Sequence, residues 1–336
     1  MSFMYNLVYY SLVAAVLIAA MLFYLNIANK FNIIDKPNER SSHSYITVRG
    51  GGIIFWISAF IFSLLHLPES LYFLIGITLI SIVSFWDDVS SLPNRIRIVV
   101  HFIAISFLFH EMFRTLSAWQ TVFAFIFFVG VLNAYNFMDG INGITGLYSL
   151  VVLTALQYVN LQIAHFITPD FITYAIIACI VFLFFNYRTR AKCFAGDIGS
   201  MAISFWIVAL IIRLIIGSGS PIWVLFLLVY GVDSICTILH RIYSRQNIFR
   251  AHRLHFYQIL TNERGLSHLT VSAGYALAQL IVCAIIIVAY QWGYPAKWLV
   301  GICLMVLCSL LYLLKFALMK KKVSIPKTAS ANELTQ

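Results

Sequence analysis

Polar positions in this chain gather into short clusters that separate long apolar runs. The runs lie near 5–28, 51–67, 70–86, 97–111, 118–134, 144–165, 171–187, 199–216, 221–240, 270–290 and 297–318. About 20 predominantly apolar residues cross a bilayer as a helix. None of the runs shows the strict alternation of a barrel strand. The pattern therefore predicts an all-α, polytopic integral membrane helical bundle with 10–11 transmembrane helices. The first run has no basic residue before it and continues too far for a cleaved signal, so it reads as a retained span. Residues 1–322 read as one membrane-embedded domain without internal repeats. Residues 323–336, polar and containing Pro326, read as a disordered tail.

Composition agrees with the pattern. Hydrophobic residues make up 62% of the 336 and charged residues 10%, which excludes a soluble enzyme or a disordered chain. The net charge of +10 invites a nucleic-acid partner, but its distribution argues for membrane orientation instead. With eleven spans, one side of the membrane receives Lys30, Lys36, Arg40 and Arg49, then Arg95 and Arg97, then Arg188, Arg190 and Lys192. It also receives Arg241, Arg245, Arg250, Arg253 and Arg264, and finally Lys315, Lys320, Lys321, Lys322 and Lys327. The other side has Arg114 and Lys297, while Arg213 lies within a span near its outer end. The positive-inside rule then puts the N-terminus outside and the C-terminus in the cytoplasm. The six cysteines show no CxxC and lie mostly in apolar runs. They read as small packing residues rather than a disulfide framework or metal site.

Candidate chemistry lies at the cytoplasmic ends of the spans. Asp87 and Asp88 end a run that travels inward, so they sit at a helix C-terminus where the macrodipole disfavours negative charge. A nearby cation, metal or basic residue is needed to hold them. The stretch Asn133-Ala-Tyr-Asn136-Phe-Met-Asp139-Gly-Ile-Asn142-Gly places polar residues at every third position, adjacent along a helix end. Gly196-Asp197-Ile-Gly199-Ser200 opens a span. Asp197 there fits an N-cap, while the glycines permit close backbone approach and the helix N-terminus suits a phosphate. An oxygen-only ligand favours Mg²⁺, with Mn²⁺ as the substitute. His252-Arg253-Leu-His255 lies in the long basic loop, where it could meet phosphate oxygens or simply be solvated. Asp233, two turns before Arg241, admits a helix-packing ion pair as readily as a catalytic role. The remaining histidines read as structural or interfacial.

In order along the chain, these motifs resemble those of the polyprenyl-phosphate N-acetylhexosamine-1-phosphate transferases, glycosyltransferase family 4. The resemblance runs through Asp35-Lys-Pro-Asn-Glu-Arg40-Ser-Ser-His43 with Arg49-Gly-Gly-Gly, Asp87-Asp88-Val-Ser-Ser-Leu92, Asn133–Gly146, Gly196–Ser200 and the histidine loop. It implies transfer of a sugar-1-phosphate from a UDP-N-acetylhexosamine to undecaprenyl phosphate at the bacterial cytoplasmic (inner) membrane. UMP is released, and the lipid-linked diphosphosugar initiates O-antigen, capsule or other envelope glycan synthesis. It also implies Mg²⁺ held by Asp197, catalytic roles for Asp87, Asp88, Asp139, His252 and His255, and substrate contacts from Arg49, Asn133, Asn136, Gly196, Gly199, Ser200 and Arg253. A homodimer is compatible with it. The form His-Arg-Leu-His-Phe-Tyr-Gln is more similar to the branch using UDP-linked 6-deoxy-N-acetylhexosamines. Two positions depart from the family pattern. Asn142 replaces a common Asp, and Val48 stands where Pro often precedes Arg-Gly-Gly. The triple-histidine form typical of the peptidoglycan translocase is absent. The alternative reading from another class is a secondary transporter or flippase, for which Arg213 and Asp233 are the best support. That reading requires broken helices with midplane charges, and no paired interruption of that kind stands in the sequence.

Overall fold

The computed structural model of the chain describes residues 2–36, 45–112, 116–247 and 252–319. Arg40 and His43 of the first motif, Arg114, Arg250, Lys320–Lys322 and the 323–336 tail lie outside the described residues. The long helices are α1 (Ser2–Lys30), α2 (Ile53–Leu65), α3 (Leu71–Val89), α4 (Asn94–Met112), α5 (Ala118–Met138), α6 (Ile144–Gln162) and α7 (Pro169–Asn186). They continue as α8 (Gly196–Ser218), α9 (Leu228–Tyr243, led in by a 3₁₀ turn at Pro221–Leu227), α11 (His268–Gln291) and α12 (Ala296–Leu318). A short turn, α10 (Phe256–Gln258), lies in the histidine loop. Each apolar run is thus a helix, and the chain is a polytopic membrane bundle.

Among the described residues, nine segments are long and apolar enough to cross a bilayer by themselves. Two of the eleven runs fall short of that standard. The α2 helix has only 13 residues, and α4 begins with Arg95 and Arg97 in its first turn. Both runs are helical, but one is short and the other carries charge at the functional end.

The α8 helix is the axis of the bundle. It is apolar nearly all round, which is the signature of a helix buried on every side, and Trp206, Ile207 and Leu210 are wholly inaccessible. The α2, α3, α5 and α6 helices pack around it. By contrast α12 presents Leu307, Leu310, Leu311 and Leu314 outward. In water such a face would be a liability, and in lipid it is the expected surface. The helix ends carry their own stop and start signals. Ser117 and Gln120 form a capping box at α5, the Ser267 hydroxyl accepts the Thr270 N–H at α11, and Pro169 opens α7.

At one end of the bundle a small piece of extended chain organises the loops. Strand β1 (Ile34–Asp35) pairs antiparallel with β2 (Thr47–Val48), and Val48 forms a parallel bridge to Cys193. The Phe194 N–H bonds the Val48 carbonyl, and the Gly51 and Gly52 N–H groups bond the carbonyls of Phe194 and Ala195. This ladder lays the start of α2 against the start of α8. Glycine is required at the contact, because a Cβ on Gly199 would lie 2.7 Å from the Gly52 Cα. All six cysteines are free thiols; Cys179, Cys193 and Cys283 are buried in the bundle, whereas Cys303 is exposed.

Candidate active site

The end of α3, the start of α8 and the Arg49 loop meet in a cluster of charges. Asp88 is at the C-terminal end of α3, where its own helix disfavours it. Its oxygens instead cap α8, accepting the Asp197 N–H at 2.8 Å and the Ile198 N–H at 3.0 Å. The favourable field at the start of one helix offsets the unfavourable field at the end of another. Arg49 Nε lies 2.7 Å from Asp88 Oδ1, and its Nη2 reaches Asp197 Oδ1 at 3.3 Å. Burial depresses the Arg49 guanidinium pKa, but Asp88, Asp197 and Asp35 outweigh it and raise the value. The Tyr24 hydroxyl fixes the loop by donating to the Arg49 carbonyl at 2.7 Å.

Asp87 faces a different partner. Arg97 Nη1 lies 3.0 Å from Asp87 Oδ2, and Nη2 lies 3.9 Å from Asp197 Oδ2. The Leu92 N–H donates to Asp87 Oδ1 at 2.7 Å. Asp87 and Asp197 thus face the same guanidinium. The acidic pair therefore has the cations its position demands, one arginine for each carboxylate, and Asp197 shares both. Asp88 is closed to solvent, whereas the Asp197 side chain is 19% exposed.

The turn after α5 forms the other wall. Asn136 Nδ2 donates to Ser200 Oγ at 3.3 Å, and Ser200, wholly buried, donates to the Asp197 carbonyl at 3.3 Å. Asp139 accepts the Thr145 hydroxyl at 2.7 Å. Burial raises its carboxyl to about 7, with Thr145 acting in the opposite direction. Tyr257 links this turn to the histidine loop by donating to the Phe137 carbonyl at 3.0 Å. It packs so closely that a Cβ on Gly140 would overlap its hydroxyl.

In the histidine loop the His252 and His255 rings lie 4.9 Å apart, centroid to centroid. Burial, with His255, Arg241 and Lys315 adding to it, lowers the His252 pKa to about 3. Its Nδ1 accepts the Leu254 N–H at 3.3 Å, so the neutral ring carries its proton on Nε2. His255 is 2% exposed and contacts Asp233 through Nδ1 at 3.2 Å. Arg253, half-buried, stands between the two histidines.

The structure corrects the sequence reading at several points. Gly196 and Gly199 do not open the α8 N-terminus to phosphate, because the Asp88 carboxylate occupies it. Gly196 (φ +73°) packs against Asp88 and Gly50, and Gly199 packs against Gly52. Asn133 turns its amide onto the Val129 carbonyl of its own helix at 2.8 Å, and this hydrogen bond lies within α5. Asp233 is engaged by the histidine loop rather than by a packing pair with Arg241. Arg97, read from sequence as a topology signal, is part of the cluster. The requirement for a cation beside Asp87 was legible, but its source was not. Asn142 is structural: its amide donates to the Arg188 carbonyl at 2.7 Å and ties the α6 start to the loop before α8.

Fold and site together define an integral membrane protein with a cluster of carboxylates and guanidinium groups at one end of its bundle. Residues 70–215 match the glycosyl transferase family 4 model. It is similar to the probable undecaprenyl-phosphate N-acetylglucosaminyl 1-phosphate transferase of Bacillus subtilis, with 24% identity over 72% of this chain and 73% of that protein. It is similar at 24% identity to the undecaprenyl-phosphate alpha-N-acetylglucosaminyl 1-phosphate transferase of Yersinia pestis, over 85% of this chain and 84% of that protein. A phospho-N-acetylmuramoyl-pentapeptide-transferase from Dictyoglomus turgidum is 27% identical over 48% of this chain and 57% of its own length.

Among the described residues no three His, Cys, Asp or Glu side chains are grouped closely enough to hold a metal by themselves. The donor set nevertheless fits Mg²⁺. That ion is bound by one or two carboxylates completed by waters and substrate phosphates rather than by a closed protein cage. Asp197 and Asp87 supply two partly exposed carboxylates that face the same Arg97 guanidinium.

Proposed function

We propose that this chain transfers an N-acetylhexosamine-1-phosphate from a UDP-linked donor to undecaprenyl phosphate, releasing UMP. The observation that carries the proposal is the joint between the end of α3 and the start of α8. There three aspartates and two arginines converge at one end of a membrane bundle. A lipid phosphate and a soluble nucleotide meet only at a membrane surface. Phosphoryl transfer between them requires alignment and neutralised non-bridging oxygens more than covalent help from the protein.

In this reading Asp197 and Asp87 hold the metal, and Mg²⁺, when bound, supplies neutralisation of the diphosphate charge. Arg49 and Arg97 orient phosphate oxygens while balancing the carboxylates. Asp88 acts through Arg49 and the α8 N-terminus, since both its oxygens are already engaged. Asn136 and Ser200 brace Asp197 from the far side, and Asp139 lines the same turn. The names of the relatives support the acceptor and the donor class. The His-Arg-Leu-His form of the last motif supports a 6-deoxy-N-acetylhexosamine donor. The concentration of Lys and Arg in loops on the site side supports a cytoplasmic active site in a bacterial inner membrane.

The test uses purified protein, undecaprenyl phosphate, Mg²⁺ and a panel of UDP-N-acetylhexosamines, with UMP release as the readout. Lipid- and metal-dependent release is expected with one or a few sugars, and Asp197→Asn should reduce it by at least about a hundredfold. Release that survives Asp197→Asn would remove the metal assignment, and no release with any donor would remove the proposed reaction.

A further inference from the structure

Behind the histidine loop lies a second buried charge network that the transfer chemistry described above does not use. Its centre is Asp233 on α9, 2% exposed. Its carboxylate accepts from four donors on three separate pieces of chain. The Phe256 N–H lies 3.0 Å from Oδ1, the Tyr275 hydroxyl 2.7 Å from Oδ2, the Thr237 hydroxyl 3.2 Å from Oδ1, and His255 Nδ1 3.2 Å from Oδ1. A carboxylate offers about four acceptor sites, so Asp233 has none left for a metal or a substrate. A second layer stands behind it. Lys315 on α12, wholly buried, donates to the Tyr312 hydroxyl at 2.5 Å and to Thr237 at 3.4 Å, and Thr237 and Tyr312 are themselves 2.8 Å apart. Burying a lysine and an aspartate is costly unless each is paired, and here the two are joined through Thr237.

All of this converges on one atom. His255 is held by Asp233 at Nδ1, and its Nε2 is inaccessible and has no hydrogen-bond partner among the described residues. A buried polar atom left in that state is costly, and a ligand that hydrogen-bonds it would recover that cost. The titratable groups around the ring are Asp233 from α9, Arg241 at the end of that helix, His252 in the loop, Tyr275 from α11, and Tyr312 and Lys315 from α12. Tyr257 stacks near it and leads to the Asp139 turn.

We propose that Asp233 is a positioning residue for the transfer reaction, fixing the His255 ring with its proton on Nδ1 so that Nε2 is presented to a phosphate oxygen of the nucleotide donor. When that oxygen arrives, Nε2 takes one proton from solvent and shares it as N–H···O, with Asp233 as the counterion across the ring. No bond to phosphorus is made or broken in this step. The proposal rests on the transferase reading and is chosen so that the two can fail separately.

The experiment combines ¹⁵N NMR of histidine-labelled protein in nanodiscs, His255 being assigned by His255→Gln, with steady-state UMP release. In the wild type, Nδ1 should be the protonated nitrogen without ligand, and added UDP with Mg²⁺ should bring Nε2 into the protonated range. In Asp233→Asn the amide oxygen stays toward the Phe256 N–H, Thr237 and Nδ1 but the counterion is gone, so added UDP with Mg²⁺ should no longer bring Nε2 into the protonated range. Outer partners of a working histidine are worth roughly 10–100-fold, so kcat should fall by about that factor with the donor KM within about threefold. Asp233→Glu, which keeps the carboxylate, should recover part of the loss. An Nδ1 found unprotonated in the wild type, an Nε2 signal indifferent to UDP, or wild-type kinetics in Asp233→Asn would each overturn the proposal. Should Asp233→Asn fail to fold, the wild-type spectra decide the question by themselves. Wild-type protein that shows both wild-type signals but releases no UMP would overturn the reaction and leave the positioning of His255 intact.

Discussion

Asp88 and Asp197 share Arg49 yet differ in what their oxygens have left to give. Asp88 spends its oxygens on two backbone N–H groups and a guanidinium and is sealed from solvent. Asp197 keeps partial exposure and an acidic neighbour, the condition under which a cation is attracted. Asp139 shows a third state, with burial holding its carboxyl near 7 instead of the ordinary 3.8. A carboxyl raised in the folded state binds a proton on folding. Its stabilising contribution is complete below 3.8 and is lost as pH rises through about 7. Thermal unfolding in detergent should therefore show a midpoint that declines between about pH 4 and about pH 7 for the wild type and levels off above it. Asp139→Asn, uncharged throughout, should flatten that decline and be the more stable of the two at the upper pH. An identical pH slope in the variant would mean that another group carries the effect.

At the scale of elements, the site depends on two helix starts being pressed together. The Arg49-Gly-Gly-Gly segment runs beside residues 193–195, and the Gly52–Gly199 contact brings backbone to backbone with no room for a methyl group. Gly52→Ala should force α2 away from α8 and drag Arg49 from both its aspartates. Overpacking of this kind costs about 1–3 kcal/mol, and UMP release should fall by at least about tenfold through lost alignment. Gly130→Ala, where an added Cβ meets nothing within 4 Å, should leave melting temperature and activity near wild type. Equal effects from the two substitutions would deny the contact its role. The same joint shows how far sequence carries. Spans, helix ends and the acidic pair were legible because hydrophobic runs and the macrodipole are local properties. Arg97 was legible only as an orientation charge and Asp233 stayed open between a packing pair and a catalytic role, because their partners lie on other elements and intervals along one helix say nothing of who faces whom across a bundle. The phosphate-cradle reading of Gly196 and Gly199 failed for a related reason. A glycine is permissive toward any close neighbour, and here that neighbour is another backbone rather than a ligand.

At the scale of the whole molecule, the charged end of the bundle must open to the compartment that supplies the nucleotide. The helices gather Arg49, Arg97, Arg241 and Arg253 at the same end as the aspartates, while the apolar surfaces of α1 and α12 are left for lipid. In the proposed reaction a basic excess there would serve both as an orientation signal during insertion and as the field that draws an anionic nucleotide toward the site. The proposed topology links the two roles: it puts residues near the active end in the cytoplasm and the first residues of α1 on the far side. In a cysteine-free background, Ser2→Cys should react in intact cells with a maleimide that cannot cross the inner membrane. Arg245→Cys, exposed just past the end of α9, should react only after the membrane is breached. The reverse pattern would place the aspartates outside, where no UDP-sugar is available, and the proposed reaction would fall with the topology. The expected pattern would also account for why the first turn of α4 tolerates two arginines. With that orientation the turn would stand at the cytoplasmic surface, where Arg97 holds Asp87 and would be within reach of the anions in the proposed reaction.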